Sequence, residues 1–206
     1  MSYIVSTFFN ENSWNKFGLN WVRNTKSASL DALIIGKDLP EEAITKIAEL
    51  NFRYVPVLNK FKTDCNVDYT LVQNLEKNQR CLWTQPEILP KAGIYSRNTS
   101  SVDGESDLIC GLSSFNVQDL TQSVVNLYDR AAMIESLKQK IENVHGKYLS
   151  SDYMLGTYDF WNGFFGCKAY LFERGYLQGS VQSDDLVLNF FVSFANSFSL
   201  QIKDYS

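Results

Sequence analysis

Over the first 90 residues, four short runs of β-branched and aromatic side chains alternate with three amphipathic stretches. Such alternation belongs to βαβ units and a largely parallel sheet, because parallel strands need a crossover that a helix usually supplies. The strand runs are YIVSTFF (Tyr3 to Phe9), DALIIGK, RYVPVL and RCLWTQPEILP, the last ending its regular pairing at Pro86. Pro56 within the third run lacks an N–H, so that strand is expected either near an edge or irregular at that point.

The stretches between them carry helical spacing. Trp14, Phe17, Trp21 and Val22 recur on one face, with Ser13 as the expected N-cap. Pro40 stands near the first turn of a helix that turns Ile44, Ile47 and Ala48 inward, and Val67, Leu71, Val72 and Leu75 share a face of the third. Beyond residue 90 lie a turn-rich segment (91–105), a strand in SDLICGLSSF, and a helical stripe from Leu120 to Ile141 that ends near His145 and Gly146. The aromatic and glycine-rich FWNGFFGCKAYLF reads as tight turns or close backbone approaches beside flat apolar surfaces, and FSLQIKDY as a last strand. At 206 residues, one domain is expected, with residues 1–90 as its first half and 91–206 as its second.

Several chemistries are excluded early. A net charge of -4 with scattered basic residues gives no footprint for nucleic acid. The N-terminus lacks a basic and apolar leader, and no run approaches the length of a membrane span, so a cytoplasmic protein is expected. Cys65, Cys81, Cys110 and Cys167 include no CxxC pair, which favours buried free thiols over a zinc site. The single histidine, His145, suits a helix C-terminus, and no nucleophile elbow, GxGxxG or P-loop pattern occurs. Carboxylates remain as the candidates for chemistry.

In QSDDLVLNFF, Asp184 and Asp185 open an apolar helix whose inward face would be Val187, Phe190, Phe191 and Phe194, with Ser183 as N-cap. First-turn acids favour the helix dipole, which is the structural reading. A carboxylate held there with a lowered pKa would also stay ionised and accept a proton from a hydroxyl, and the residues alone leave both readings open.

The element order, followed by an aromatic and glycine-containing segment (Trp161 to Gly166) and then the acidic pair, resembles the GT-A glycosyltransferases. The resemblance implies an α/β, GT-A-like three-layer sandwich with a mostly parallel central sheet, binding a nucleotide-sugar donor and a glycan or other hydroxyl acceptor. It implies Asp185 as general base with Asp184 beside it, and Thr7, Phe8, Phe9 and Asn10 near the nucleotide base and ribose. Thr84, Gln85 and Glu87 fall on the donor side after the fourth strand, and Trp161, Asn162 and Gly163 beside the acceptor. Metal-dependent members hold Mn²⁺ or Mg²⁺ through a DxD motif at that fourth strand. Here Thr84, Gln85 and Glu87 stand in its place, and one Glu beside Pro86 is a poor substitute for paired carboxylate ligands. Asp103 and Glu105 have acidic-pair spacing but precede the wrong strand and read as a solvated turn. The missing DxD also leaves a second reading: a degenerate domain that binds a glycan, nucleotide or protein partner without turnover.

Overall fold

The computed structural model describes residues 2–62, 65–90, 108–112, 149–173, 182–193 and 202–204. The expected turn-rich segment with Asp103 and Glu105, the Leu120 to Ile141 stripe, His145 and Phe194 lie outside them. In chain order the elements are β1 (Ser2–Asn10), α1 (Glu11–Ser13), a π-helical turn (Trp14–Gly18) leading into α2 (Leu19–Ser27), β2 (Ala32–Lys37), α3 (Glu41–Glu49), β3 (Arg53–Pro56), α4 (Asn66–Asn74) and β4 (Gln79–Thr84). Then come β5 (Leu108–Leu112), β6 (Leu149–Thr157), α5 (Tyr158–Glu173), α6 (Gln182–Ser193) and β7 (Ile202–Asp204).

Among the described residues one seven-stranded sheet forms in the order β3-β2-β1-β4-β6-β5-β7. Strands β1 to β4 pair in parallel, β6 runs against both its neighbours, and β7 is parallel to β5, so only β6 opposes the rest. Alternation of side chains along β1 sends Ile4 to one face and Val5 and Phe9 to the other. The second face packs on Trp14 of the π-helical turn, Trp21 and Val22 of α2, and Ala43 and Ile47 of α3. The first packs on Leu71 and Val72 of α4, Phe160, Trp161 and Phe164 of α5, and Leu186, Val187 and Phe191 of α6. Helices thus cover both faces, and the architecture is the three-layer sandwich with a mostly parallel sheet.

Several local expectations are corrected. Asn10, not Ser13, caps α1: its Oδ1 accepts from the Ser13 backbone N–H at 2.8 Å and the Ser13 hydroxyl accepts from the Asn10 N–H at 3.0 Å, a reciprocal capping box. Phe17 is exposed, because the π-helical turn shifts the phase of the stripe between Trp14 and Trp21. In α3 the inward residue beside Ile47 is Ala43, while Ala48 is exposed and Ile44 half-buried. FWNGFFGCKAYLF is the body of α5 and contains no turn. Its close approach is real: a Cβ on Gly163 would lie 2.6 Å from Cζ of Phe191, so this glycine lets α5 and α6 touch. Helix α6 starts at Gln182, which places Ser183 inside it and not at its cap. The strand LSSDYMLGT, absent from the sequence reading, is β6. Pro56 does lie on an edge strand.

Candidate functional site

Parallel α/β sheets present ligands at the carboxyl ends of their strands. In this chain that rim carries Asn10, Lys37 and Thr84, followed by Gln85. Strand β6 enters the rim from its own amino end, since Thr84 pairs with Tyr153 and the Gln85 N–H donates to the Asp152 carbonyl at 3.1 Å. Beyond Lys37, Asp38 takes a left-handed φ of 54°, a conformation that Asp tolerates better than most residues. Tyr54 on the neighbouring strand has its pKa raised by burial and, secondarily, by the Asp38 charge.

The expected donor residues divide. Thr7 and Thr84 are buried and spend their hydroxyls on the fold: Thr7 Oγ1 donates to the Thr84 carbonyl at 2.9 Å, and Trp21 Nε1 donates to Thr84 Oγ1 at 3.2 Å. Phe9 is fully buried, edge-on between Trp14 and Trp21 at 5.4 and 6.0 Å. These three side chains stitch β1, β4 and α2 together and present nothing to a nucleotide. Phe8 is half-buried against the opposite face, Gln85 is half-buried, and Asn10 and Glu87 are exposed at the rim.

The expected acceptor wall is also corrected. Trp161 is buried among Trp83, Phe160 and Phe164, and its Nε1 donates to the Cys81 carbonyl at 3.2 Å. Its ring is therefore core and offers no face to a sugar. Gly163 is occupied by Phe191, and Asn162 alone of the three is exposed.

The acidic pair is where buried charge gathers. Asp184 and Asp185 both occupy the first turn of α6 but have different partners. Asp184 Oδ1 is 2.5 Å from Nζ of Lys168 on α5, and the same ammonium is 2.7 Å from Oδ2 of Asp68 in the first turn of α4. Burial works against the Lys168 ammonium, but the Asp184 and Asp68 carboxylates outweigh it and raise its pKa. Asp68 is raised to about 6, chiefly by burial; the Asp184 charge adds to this, and Lys168 pulls the other way.

Asp185 faces the sheet. Its Oδ1 accepts the Ser151 backbone N–H at 2.6 Å and also the Ser151 hydroxyl, from the opening of β6. One turn on, Asn189 grips the same strand: its Oδ1 accepts the Leu149 N–H at 2.9 Å, and its Nδ2 donates to the Leu149 carbonyl at 2.8 Å. The pKa of Asp185 is raised, not lowered as expected. Burial dominates, the Ser151 hydrogen bonds oppose it, and the Asp152 and Asp184 charges add to it. A carboxylate raised in this way accepts a proton more readily than an ordinary one.

Lys168, Asp68, Ser151 and Asn189 were not picked out from the sequence. Lys168 carried a readable signal, since a lone cation inside an apolar run such as FFGCKAYLF must either reach water or find a buried partner. Ser151 carried none, because only the antiparallel insertion of β6 brings it to α6.

Divalent cations take several oxygen ligands. Among the described residues no group of three or more His, Cys, Asp or Glu side chains could hold a metal ion, and the two carboxylates that do converge, Asp68 and Asp184, are bridged by an ammonium. The described residues by themselves do not form a Mn²⁺ or Mg²⁺ site. No helix among the described residues is long and apolar enough to cross a membrane.

No protein-family model matches the chain, and no curated protein matches it. Solved structures do. The galactosyltransferase LgtC, in complex with donor and acceptor sugar analogs, superposes with a TM-score of 0.59 at 13% identity, covering 91% of this chain and 69% of that one. A CMP:2-keto-3-deoxy-manno-octonic acid synthetase complexed with CTP gives 0.53 at 9% identity, covering 100% and 89%. The glucosyl-3-phosphoglycerate synthase of Mycobacterium tuberculosis, in complex with Mn²⁺, UDP and phosphoglyceric acid, gives 0.50 at 9% identity, covering 96% and 78%. At such identities the likeness is one of fold, and the fold is GT-A-like.

Proposed function

We propose that the chain transfers a sugar from a nucleotide-sugar donor to an acceptor hydroxyl, with Asp185 as general base. The observation that carries this reading is the division of the acidic pair: Asp184 is neutralised by Lys168, while Asp185, anchored on Ser151, has a raised proton affinity at the carboxyl rim of the sheet. In the proposed step Asp185 takes the acceptor's hydroxyl proton as that oxygen attacks the anomeric carbon. The bond to the diphosphate oxygen breaks, the nucleoside diphosphate leaves with the electron pair, and the anomeric configuration inverts. Asn10, Gln85 and Glu87 are the rim side chains proposed to meet the donor, and Asn162 the exposed member of the expected acceptor set. The cysteines Cys65, Cys81, Cys110 and Cys167 are not cross-linked as disulfides, which fits a reducing, cytoplasmic setting.

A second reading is supported by the donor set. Among the described residues no carboxylate cluster suits a metal, and in this reading the domain keeps the scaffold and binds a nucleotide or glycan without turnover. One experiment separates the two: a thermal-shift screen of UDP-, GDP- and CMP-sugars with and without Mn²⁺, followed by a turnover assay on any hit. Transfer or hydrolysis that drops at least about 10²-fold in Asp185→Asn, with the melting temperature retained, supports the enzyme. Stabilisation without turnover supports the binding domain, and no stabilisation by any donor counts against both.

A further inference from the structure

The ionic cluster of Asp68, Lys168 and Asp184 joins the first turns of α4 and α6 to the later part of α5, with the Lys168 side chain only 5% exposed. Taking the Lys168 charge out of water, with two carboxylates partly withdrawn beside it, is expensive, and apolar groups of similar volume often hold a core as well. The cluster therefore calls for a role besides cohesion.

Its geometry supplies one. Successive residues of an α-helix diverge by about 100° around the axis. Asp184 and Asp185 accordingly cannot face the same neighbour: with Asp184 drawn to α5 by Lys168, Asp185 turns toward β6, and Asn189, four residues on, lies on the same stripe as Asp185 and clamps Leu149. The Lys168 contact thus acts together with the Asn189 clamp and the apolar packing of Leu186, Val187 and Phe191 on the rotation of α6, and it is the contact made by the residue next to Asp185.

We propose that Lys168 is a positioning residue: by bridging Asp184 to Asp68 it neutralises the first acid of the pair and orients α6 so that the second, Asp185, is held on Ser151. This rests on the reading of Asp185 as the base, but it is a statement about the free protein. It touches no substrate atom, and its effect on chemistry passes entirely through Asp185.

The test uses the full chain, isotope-labelled, with the Ser151 amide as reporter. An N–H donating at 2.6 Å to a carboxylate gives a proton resonance shifted downfield, and Asp185→Asn identifies that signature by weakening it. Lys168→Met, checked for folding by circular dichroism, is expected to lose the signature, and Lys168→Arg, which keeps the cation, to retain it. If Lys168→Met does not fold, the charge-free triple variant Lys168→Met, Asp68→Asn, Asp184→Asn takes its place, again with loss expected. Retention of the Ser151 signature in either folded variant overturns the proposal. Loss in Lys168→Arg as well would mark a packing role and overturn it too. On any donor the wild type turns over, Lys168→Met should also reduce turnover about 10²-fold. A wild type that neither binds nor turns over a donor yet keeps the signature would sink the proposed activity while leaving the positioning role standing.

Discussion

At the carboxyl ends of β1 and β4, on the face covered by α2, the buried polar side chains are neutral: Thr7, Thr84 and Trp21 satisfy one another through hydrogen bonds of 2.9 and 3.2 Å. At the same rim on the opposite face, under α4, α5 and α6, neutral buried groups such as Ser151 and Asn189 are joined by charge: the buried Lys168 ammonium lies between the part-buried Asp68 and Asp184 carboxylates, with part-buried Asp185 beside them. The neutral cluster is tied by donors that reach neutral acceptors, and no proton needs to move. A charged cluster couples proton affinity to helix position, which is the raw material for acid–base chemistry. The difference is what supports the proposed placement of the base on the α6 side, while the Thr7 cluster holds the sheet.

The sharpest way to break this comparison is Lys168→Met. Two part-buried carboxylates would be left without their cation, and the expected loss is about 2–4 kcal/mol by urea denaturation, whereas the charge-free triple variant should recover most of it. A loss in the single variant no larger than that of Thr7→Val would erase the distinction between the two clusters.

The next effect is a pH dependence. Asp68 in the folded protein titrates at about 6, above the ordinary 3.8, because burial, joined by the Asp184 charge, outweighs the pull of Lys168. The folded state then holds the proton more tightly than the unfolded state does. That contribution is complete below about 4 and is lost as the pH rises through about 6. Asp185, also raised, acts with the same sign. Urea midpoints measured at intervals between pH 4 and 7 should therefore show a downward component in the wild type, and Asp68→Asn should flatten it. An equal slope in the variant would contradict the assignment.

On the neutral side the effects are smaller. Thr7→Val keeps the shape, removes the donor to the Thr84 carbonyl, and should cost about 1–2 kcal/mol with no change in slope against pH. Asn10→Ala removes one half of the α1 capping box and should cost about 1 kcal/mol. Because Asn10 also stands on the rim, its activity on any donor found is the better discriminator between a cap and a contact.

The first half of the fold was legible because its signals are local. Alternating apolar runs, Pro40 ahead of α3 and the proline in β3 each report on their own segment. What was not legible depended on distant partners. FWNGFFGCKAYLF has the composition of a turn-rich segment, but Gly163 serves helix contact, explained only by Phe191 opposite it, while a Cβ on Gly166 would meet open space. The acids at the head of α6 were visible, but their different roles were not, since Lys168 and Ser151 lie 16 and 34 residues away from their respective partners Asp184 and Asp185 in sequence. The resemblance placed Thr7, Thr84 and Trp161 at a site by position along the chain, and the direction of each side chain turned them into the core.

The proline of β3 has a consequence for how the molecule behaves among its own copies. Val57 donates its N–H inward to the Gly36 carbonyl at 2.9 Å, so the preceding backbone nitrogen, that of Pro56, points outward from the sheet. A sheet margin is normally a template on which another strand can grow, but at this point it has no hydrogen to offer. Strand-by-strand polymerisation through this margin is interrupted by a missing atom, and Pro56→Ala would restore it.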